Sequence, residues 1–263
     1  MTTGWAGVAA AYRRSFGTLC AGTIPTLLEA TEPAPDHLDL GCGTGELALA
    51  AARRGRRVTA VDPDPEMVST TRATARNASV AMDVLEAALP RLPLPDGGAG
   101  AVTANFVLNH VPDPRAAMHA LARVAAPSAP LAMTIWPAEP GPHLAAYGEA
   151  ARAARAVPVP SAHLAPELDF ARSAEGLAEL AREAGLTIAR AEEIRWTWTV
   201  TAEDLLAGIR GGVAGPGRLH QAQTPETRTE IELRARALWA PFEDGTSRLC
   251  FPVTAVLVVA ARR

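Results

Sequence analysis

Three carboxylates and one run of glycines hold the chemistry that is easiest to read in this chain. Gly41-Cys42-Gly43-Thr44-Gly45 joins the apolar residues 37–40 to an alanine-rich stretch. A strand ending in such a loop lets a ligand approach the main chain, because Cβ atoms are missing where they would collide. Asp39 stands two residues before the first glycine, where its charge can hold an ammonium. Asp62 closes a second apolar run, 21 residues after Gly41, and a carboxylate there can accept both hydroxyls of a ribose. Asp83 ends the next short run; with the backbone N–H of Val84 it can bind the amino group and a ring nitrogen of adenine. Amino-acid tail, ribose and adenine are thereby matched by three successive strand ends.

Two ligands carry such a ribose. The dinucleotide pattern G-x-G-x-x-G uses its third glycine for close packing and turns a helix N-terminus toward a pyrophosphate. Here the third glycine comes one position early, and Glu46 occupies its place. A carboxylate in the first helical turn suits the helix dipole but repels a pyrophosphate. The loop therefore favours an adenosyl ligand without phosphate, and a nicotinamide oxidoreductase is the alternative that must tolerate Glu46.

The elements that position these residues alternate as in a parallel sheet covered by helices. Strands are predicted at 37–41, 57–62, 80–84, 100–108 and 130–136, and helices at 45–55, 65–77 and 113–126. Gly55 is the expected C-cap of the first helix and Pro65 opens the second. Residues 143–157 read as helical, 173–185 as a helix capped by Ser173, and 186–200 as containing a strand near its end. A polar helical segment, 201–242, precedes a last apolar strand at 253–261.

With 263 residues, 48% hydrophobic and 20% charged, the chain can bury a sizeable core. A net charge of -3 gives no basic footprint for nucleic acid, and no partner of that kind is expected. No run approaches the ~20 apolar residues of a membrane span, so no membrane partner and a cytoplasmic location are expected. Cys20, Cys42 and Cys250 fit neither a disulfide framework nor a metal cluster, and no metal is expected. All 25 basic residues are arginine, which removes lysine Schiff-base and P-loop chemistry. The abundance of Ala, Arg, Gly and Pro reads as the coding bias of a GC-rich genome.

The series "LDLGCGTGELALA", "VTAVDPDPEMV", "MDVLEAALPRLPLPDGGAGAVTANFVLNHVPDPRAAMHALARVAAP" and "PLAMTIW" resembles the motifs of class I S-adenosylmethionine-dependent methyltransferases. Within that class it is similar to the small-molecule group of the ubiquinone and menaquinone pathways, methyltransferase type 11, over residues 38–137. The resemblance implies an α/β, Rossmann-like, seven-stranded sheet with helices on both faces, a C-terminal antiparallel hairpin and a helical cap. It implies S-adenosylmethionine as cofactor and S-adenosylhomocysteine as product. Gly41, Cys42 and Gly43 would pack on the methionine part, beside Asp39. Asp62 with Pro63 would hold the ribose, Met67 would cover the adenine, and Asp83 and Val84 would read its edge. Asn105 would lie beside the cofactor at the fourth strand end, and Tyr12 corresponds to a tyrosine near the methionine carboxylate. Ala99-Gly100 departs from the Phe-Asp pair that usually opens the fourth strand, which concerns packing there and not the cofactor contacts.

Methyl transfer from a sulfonium is an in-line displacement on an activated carbon, so the protein must chiefly align the acceptor and exclude water. A base helps where the acceptor loses a proton, and His110, after the fourth strand, is the candidate; it could equally position the loop. Phe16, Trp136 and His143 are the expected lining of a pocket for a small, partly apolar acceptor. His220 is a weaker candidate, and Trp196, Trp198 and Trp239 are read as packing. The expected organisation is a single domain over 1–263. It comprises an N-terminal helical cap segment (1–35), a cofactor-binding core (36–137), a lid or insertion (138–172) and a helical insertion at 201–242 over the acceptor. The reaction expected is O-, N- or C-methylation of a small secondary metabolite. A protein of this fold that binds the cofactor without using its methyl group is a further alternative.

Overall fold

The computed structural model describes residues 5–160 and 164–262. In chain order the helices are α1 (Ala9–Arg14), α2 (Phe16–Cys20), α3 (Ile24–Ala30), α4 (Glu46–Arg53), α5 (Pro65–Asn77), α6 (Pro114–Val124), α7 (Pro142–Ala153), α8 (Ala174–Glu183), α9 (Ala202–Arg210), α10 (Ala214–Gln221) and α11 (Pro225–Trp239). The strands are β1 (Asp36–Leu40), β2 (Arg57–Asp62), β3 (Asp83–Glu86), β4 (Val102–Asn105), β5 (Pro130–Ile135), β6 (Leu186–Thr201) and β7 (Arg248–Arg262). They form one seven-stranded sheet in the order β3-β2-β1-β4-β5-β7-β6. The first five are parallel, and β7 runs antiparallel to β5. Strand order reverses between β1 and β4, so the loops leaving their carboxyl ends part there and open a crevice.

The chain divides into two compact units. The larger holds residues 23–138, 164–194 and 255–263. One face of its sheet buries Leu38, Leu40, Met133 and Val258 with Met118 and Leu121 of α6 and Leu177 and Leu180 of α8. The other buries Leu27 and Leu28 of α3 and Leu47 and Ala48 of α4 against Val58, Ala60 and Leu257. The helix ends follow local chemistry. Asp64 caps α5 by accepting the N–H groups of Glu66 and Met67, each at 3.0 Å. Ser173 caps α8 through Gly176 N–H at 3.1 Å. Past α4, Gly55 is left-handed (φ 82°) and Arg56 N–H returns to Ala51 O, the Schellman pattern.

The smaller unit holds residues 1–22, 139–163 and 195–254. Its α7 and α11 pack together, and the Trp239 indole donates to His143 O at 3.1 Å. Tyr147 O–H lies 3.1 Å from His220 Nδ1, and His220 Nε2 lies 3.5 Å from Glu232, which also pairs with Arg210. Trp198 and Trp239 are buried here, as packing residues are.

Four predicted strands differ from those observed, one of them β6, which fills Leu186–Thr201 and not only the end of that stretch. β3 begins at Asp83, because Val80 is consumed in closing α5: Ser79 is left-handed (φ 54°) and Val80 N–H bonds Ala75 O at 3.0 Å. β4 stops at Asn105, because Phe106 turns left-handed (φ 59°) and gives its N–H to Thr134. At its other end Ala99 pairs with Ala125 instead of extending the strand, and a Cβ on Gly100 would fall 3.2 Å from Asp36 O. β7 starts at Arg248, five residues early, since Leu249, Phe251 and Val253 alternate into the interior around exposed Pro252.

Candidate ligand site at the carboxyl ends of the strands

The glycine loop leaves β1 with a geometry that side chains would block. Gly41 is left-handed (φ 67°), and a Cβ there would fall 2.4 Å from Val107 Cγ2. Gly45 begins α4 at φ 90°, where a Cβ would meet Thr71 at 2.9 Å. Four of the five amide hydrogens of this loop, all but that of Thr44, are directed inward. Gly41 and Cys42 both donate to Val61 O (2.7 and 3.0 Å), Gly45 donates to Cys42 O (2.9 Å), and Gly43 donates to Asp62 Oδ2 (2.9 Å). A pyrophosphate site needs such amides pointing at the ligand. Glu46 completes the contrast, its carboxylate accepting the Thr44 hydroxyl at 2.7 Å in the first turn of α4.

Asp62 ends β2, buried, with one oxygen on Gly43 N–H and the other on Asp64 N–H at 3.0 Å. Burial pushes its carboxyl up to about 6, against the pull of those two amide bonds. Each oxygen keeps lone pairs for further donors, which is what a vicinal diol supplies. Asp39, near the end of β1, is also buried: Oδ1 accepts from Thr103 Oγ1 at 3.0 Å, and Oδ2 has no hydrogen-bond partner. Burial raises it to about 7, helped by the charges of Asp62 and Glu46 and opposed by the Thr103 hydroxyl and the backbone N–H of Ala48 in α4. Cys42 is buried in the loop and its thiol is pushed up by burial first, then by Asp39 and Asp62, so it has no thiolate character.

The larger unit thus brings Asp39, Gly41, Cys42, Gly43, Asp62 and exposed Pro63 to the ends of β1 and β2. Met67 lies buried in the first turn of α5. Asn105 ends β4, its Oδ1 accepting from Thr23 at 2.8 Å and Thr134 at 2.6 Å. Trp136, just beyond β5, stacks on Phe106 with ring centroids 3.7 Å apart, and its N–H is held by Asn109 Oδ1 at 2.8 Å. His110 is exposed on the turn after β4, donating its N–H to Val107 O. Phe16, His143 and Tyr12 belong to the smaller unit. Phe16 and His143 are buried, 6.4 Å apart by ring centroid, beside Trp198 and Phe251; Tyr12 sits edge-on to Trp5 in α1.

The placement of Asp83 and Val84 needs correction. Asp83 opens β3, opposite Thr59, and the residue opposite Asp62 is Glu86. Three residues of strand separate Asp83 from the carboxyl edge, ~10 Å. The carboxylate at that edge is Glu86, which with Ala87, Pro90 and Arg91 lines an open groove. Ala87 N–H bonds the backbone carbonyl of Asp62 at 3.1 Å, tying the residue after Glu86 to the end of β2. The signal was the strand register: an element that must pair with 59–62 ends two residues later than its apolar run.

Glycine cradle, ribose-type carboxylate and sheet order together define the class I methyltransferase fold. The YcgJ protein from Bacillus subtilis superposes with a TM-score of 0.59 over 92% of this chain and 98% of that one, at 19% identity. A methyltransferase domain model matches residues 38–133. Among curated relatives, the ubiquinone biosynthesis O-methyltransferase of Xanthomonas campestris pv. campestris (strain B100) is 34% identical over 207 residues, 78% of this chain and 77% of the relative. The chain belongs to the type 11 family of class I methyltransferases. With the enzyme of the same name from Xanthomonas axonopodis pv. citri (strain 306), identity is 35% over 152 residues, which span 57% of this chain and 62% of that relative's length. Among the described residues no helix is long and apolar enough to cross a membrane.

Proposed function

We propose that this chain binds S-adenosylmethionine and directs its methyl group to a small-molecule acceptor. The observation that carries the reading is Asp62: a buried carboxylate at the end of β2, fixed by two amides, beside a loop whose Gly41, Cys42, Gly43 and Gly45 amide hydrogens are committed internally. Asp62 and Pro63 hold the ribose, and Gly41, Cys42 and Gly43 cradle the amino-acid tail next to Asp39. Met67 borders the adenine, Glu86 reads its edge in place of Asp83 and Val84, and Asn105 fixes the floor after β4. The cofactor supplies an electrophilic methyl on a sulfonium, so that a new acceptor–carbon bond replaces the sulfur–carbon bond and a neutral thioether leaves.

The chain's own contribution is to orient the acceptor and take any proton it loses. His110, exposed on the turn after β4, is the group we assign to that proton. Trp136, just beyond β5, is assigned to the acceptor. The names of the relatives favour an oxygen acceptor.

Isothermal titration with S-adenosylhomocysteine and with NAD tests the cofactor; NAD binding without the adenosyl ligand sinks the reading. Incubation with S-adenosylmethionine and a panel of hydroxylated, amino and carbon-acid metabolites should then yield adenosylhomocysteine and a product heavier by one methylene. Tight cofactor binding with no product across the panel would favour a protein that keeps the cofactor without spending its methyl.

A further inference from the structure

His37 and Asp39 project from the same side of β1, and Thr103 of β4 lies in register with Asp39. Together with Arg56 they form a buried chain of hydrogen bonds whose direction is fixed by chemistry. Arg56 can only donate, so His37 Nδ1, 2.9 Å from Arg56 Nη1, must accept. Burial, then the Arg56 charge, drives His37 down to about 3, so the ring is neutral and carries its hydrogen on Nε2. That N–H donates to Thr103 Oγ1 at 2.9 Å, and the Thr103 hydroxyl donates to Asp39 Oδ1 at 3.0 Å. Every donor in the series points toward Asp39. Arg56 is anchored by Thr31 Oγ1 and Leu28 O, each at 2.7 Å, with Glu32 3.7 Å away and Arg54 on Glu32.

At the other end, Asp39 Oδ2 is buried and has no partner. The titratable groups coupled to Asp39 from the surrounding elements are Asp62 after β2, Glu46 at the start of α4 and Cys42 in the loop. The two carboxylates repel a second negative charge, and burial together with that repulsion outweighs the Thr103 hydrogen bond to Oδ1 and the pull of the Ala48 backbone N–H. A carboxyl so placed holds its proton until a cation arrives.

We propose that Arg56, His37 and Thr103 act as positioning residues that keep Asp39 poised to exchange its proton for the ligand's ammonium, so that cofactor binding releases a proton and selects ligands carrying that cation. The proposal rests on the cofactor reading above and adds to it the relay and the proton. Bond accounting is simple: the Asp39 O–H gives its proton to solvent, and the vacated oxygen pairs with the ammonium.

The test is isothermal titration with S-adenosylhomocysteine in buffers of different ionisation enthalpy, between pH 5.5 and 7.5. With Asp39 titrating at about 7, linkage gives release of roughly three-quarters of a proton at pH 6.5 and binding about 25-fold weaker at pH 5.5 than at 7.5. Asp62, titrating at about 6, adds roughly fourfold over the same range. 5′-Methylthioadenosine, which lacks the ammonium, should show only the Asp62 share. Asp39→Asn should abolish the Asp39 share for adenosylhomocysteine. Thr103→Val should move the release midpoint upward, and Thr103→Ser should restore it. Adenosylhomocysteine binding without buffer-dependent heat, or proton release in Asp39→Asn that stays above the Asp62 share seen with 5′-methylthioadenosine, overturns the proposal and leaves the cofactor reading standing. No adenosylhomocysteine binding at any pH overturns both.

Discussion

Replacing His143 by phenylalanine should stabilise this protein, and more so in acid. The imidazole is buried with Phe16, Trp198 and Phe251 around it, and neither ring nitrogen has a hydrogen-bond partner. An unsatisfied buried polar group costs about 1–3 kcal/mol, so removing a donor and an acceptor should outweigh the slight overfilling by a phenyl ring. Burial also lowers the imidazole to about 4. Sign matters here: the folded form resists protonation, whereas the unfolded histidine protonates near 6.5, so stability is lost as pH falls below 6.5. Between pH 7.5 and 5.5 that loss is about 1.4 kcal/mol, and the phenylalanine variant escapes it. Differential scanning calorimetry at both pH values should show His143→Phe melting a few degrees above the parent at pH 7.5, with the gap growing by about 3 °C at pH 5.5. A variant that melts lower at pH 7.5, or a gap that does not widen, would refute the reasoning. If His143 also serves the acceptor, the same variant should turn over more slowly, stability gained where function is lost.

Asp62→Ala should weaken adenosylhomocysteine by about 1.5–3 kcal/mol, the scale of hydrogen bonds to a charged group; an unchanged dissociation constant in a folded variant contradicts the ribose assignment. Glu86→Ala should weaken the adenine side by about 1–2 kcal/mol, while Asp83→Ala should change it by less than about 0.5, and calorimetry showing the reverse order would restore Asp83. Gly41→Ala should lower the melting temperature by several degrees, because a left-handed alanine costs about 1–2 kcal/mol before its Cβ meets Val107; an unshifted melt would mean the loop moves freely.

Much of the larger unit was legible because its signals are local. Gly55, Asp64-Pro65 and Ser173 end or begin helices through their own side chains or lack of one, and the apolar runs of β1, β2 and β5 lie where periodicity puts them. The missed boundaries depend on partners far along the chain. Phe106 is apolar and reads as strand, yet its backbone turns to satisfy Thr134 of β5. Val80 reads as strand, yet it closes α5. β6 carries Arg190, Glu192, Glu193 and Arg195 through its middle, which suits a sheet edge but hides a strand from any hydrophobic pattern. The relay from Arg56 to Asp39 was out of reach for the same reason: His37 and Thr103 meet only because β1 and β4 pair in one register. Glu86 takes the place of Asp83 by the same logic.

Ligand choice in such a loop is decided less by the number of glycines than by where the amide hydrogens go. Glycines report only that a ligand can come close. Glu46→Gly would complete G-x-G-x-x-G from Gly41 onward and remove the carboxylate that repels a pyrophosphate. The amides of Gly41 and Cys42 would still be committed to Val61 O, Gly43 to Asp62 and Gly45 to Cys42 O, and Asp62 would still charge the cleft. Freeing even one amide forfeits about 0.5–1.5 kcal/mol before any phosphate is bound. Glu46→Gly should therefore leave NAD without measurable affinity in titration up to millimolar concentration, while adenosylhomocysteine binds within a few-fold of the parent. Micromolar NAD binding by this variant would show that Glu46 alone, and not the inward amides, had excluded the dinucleotide.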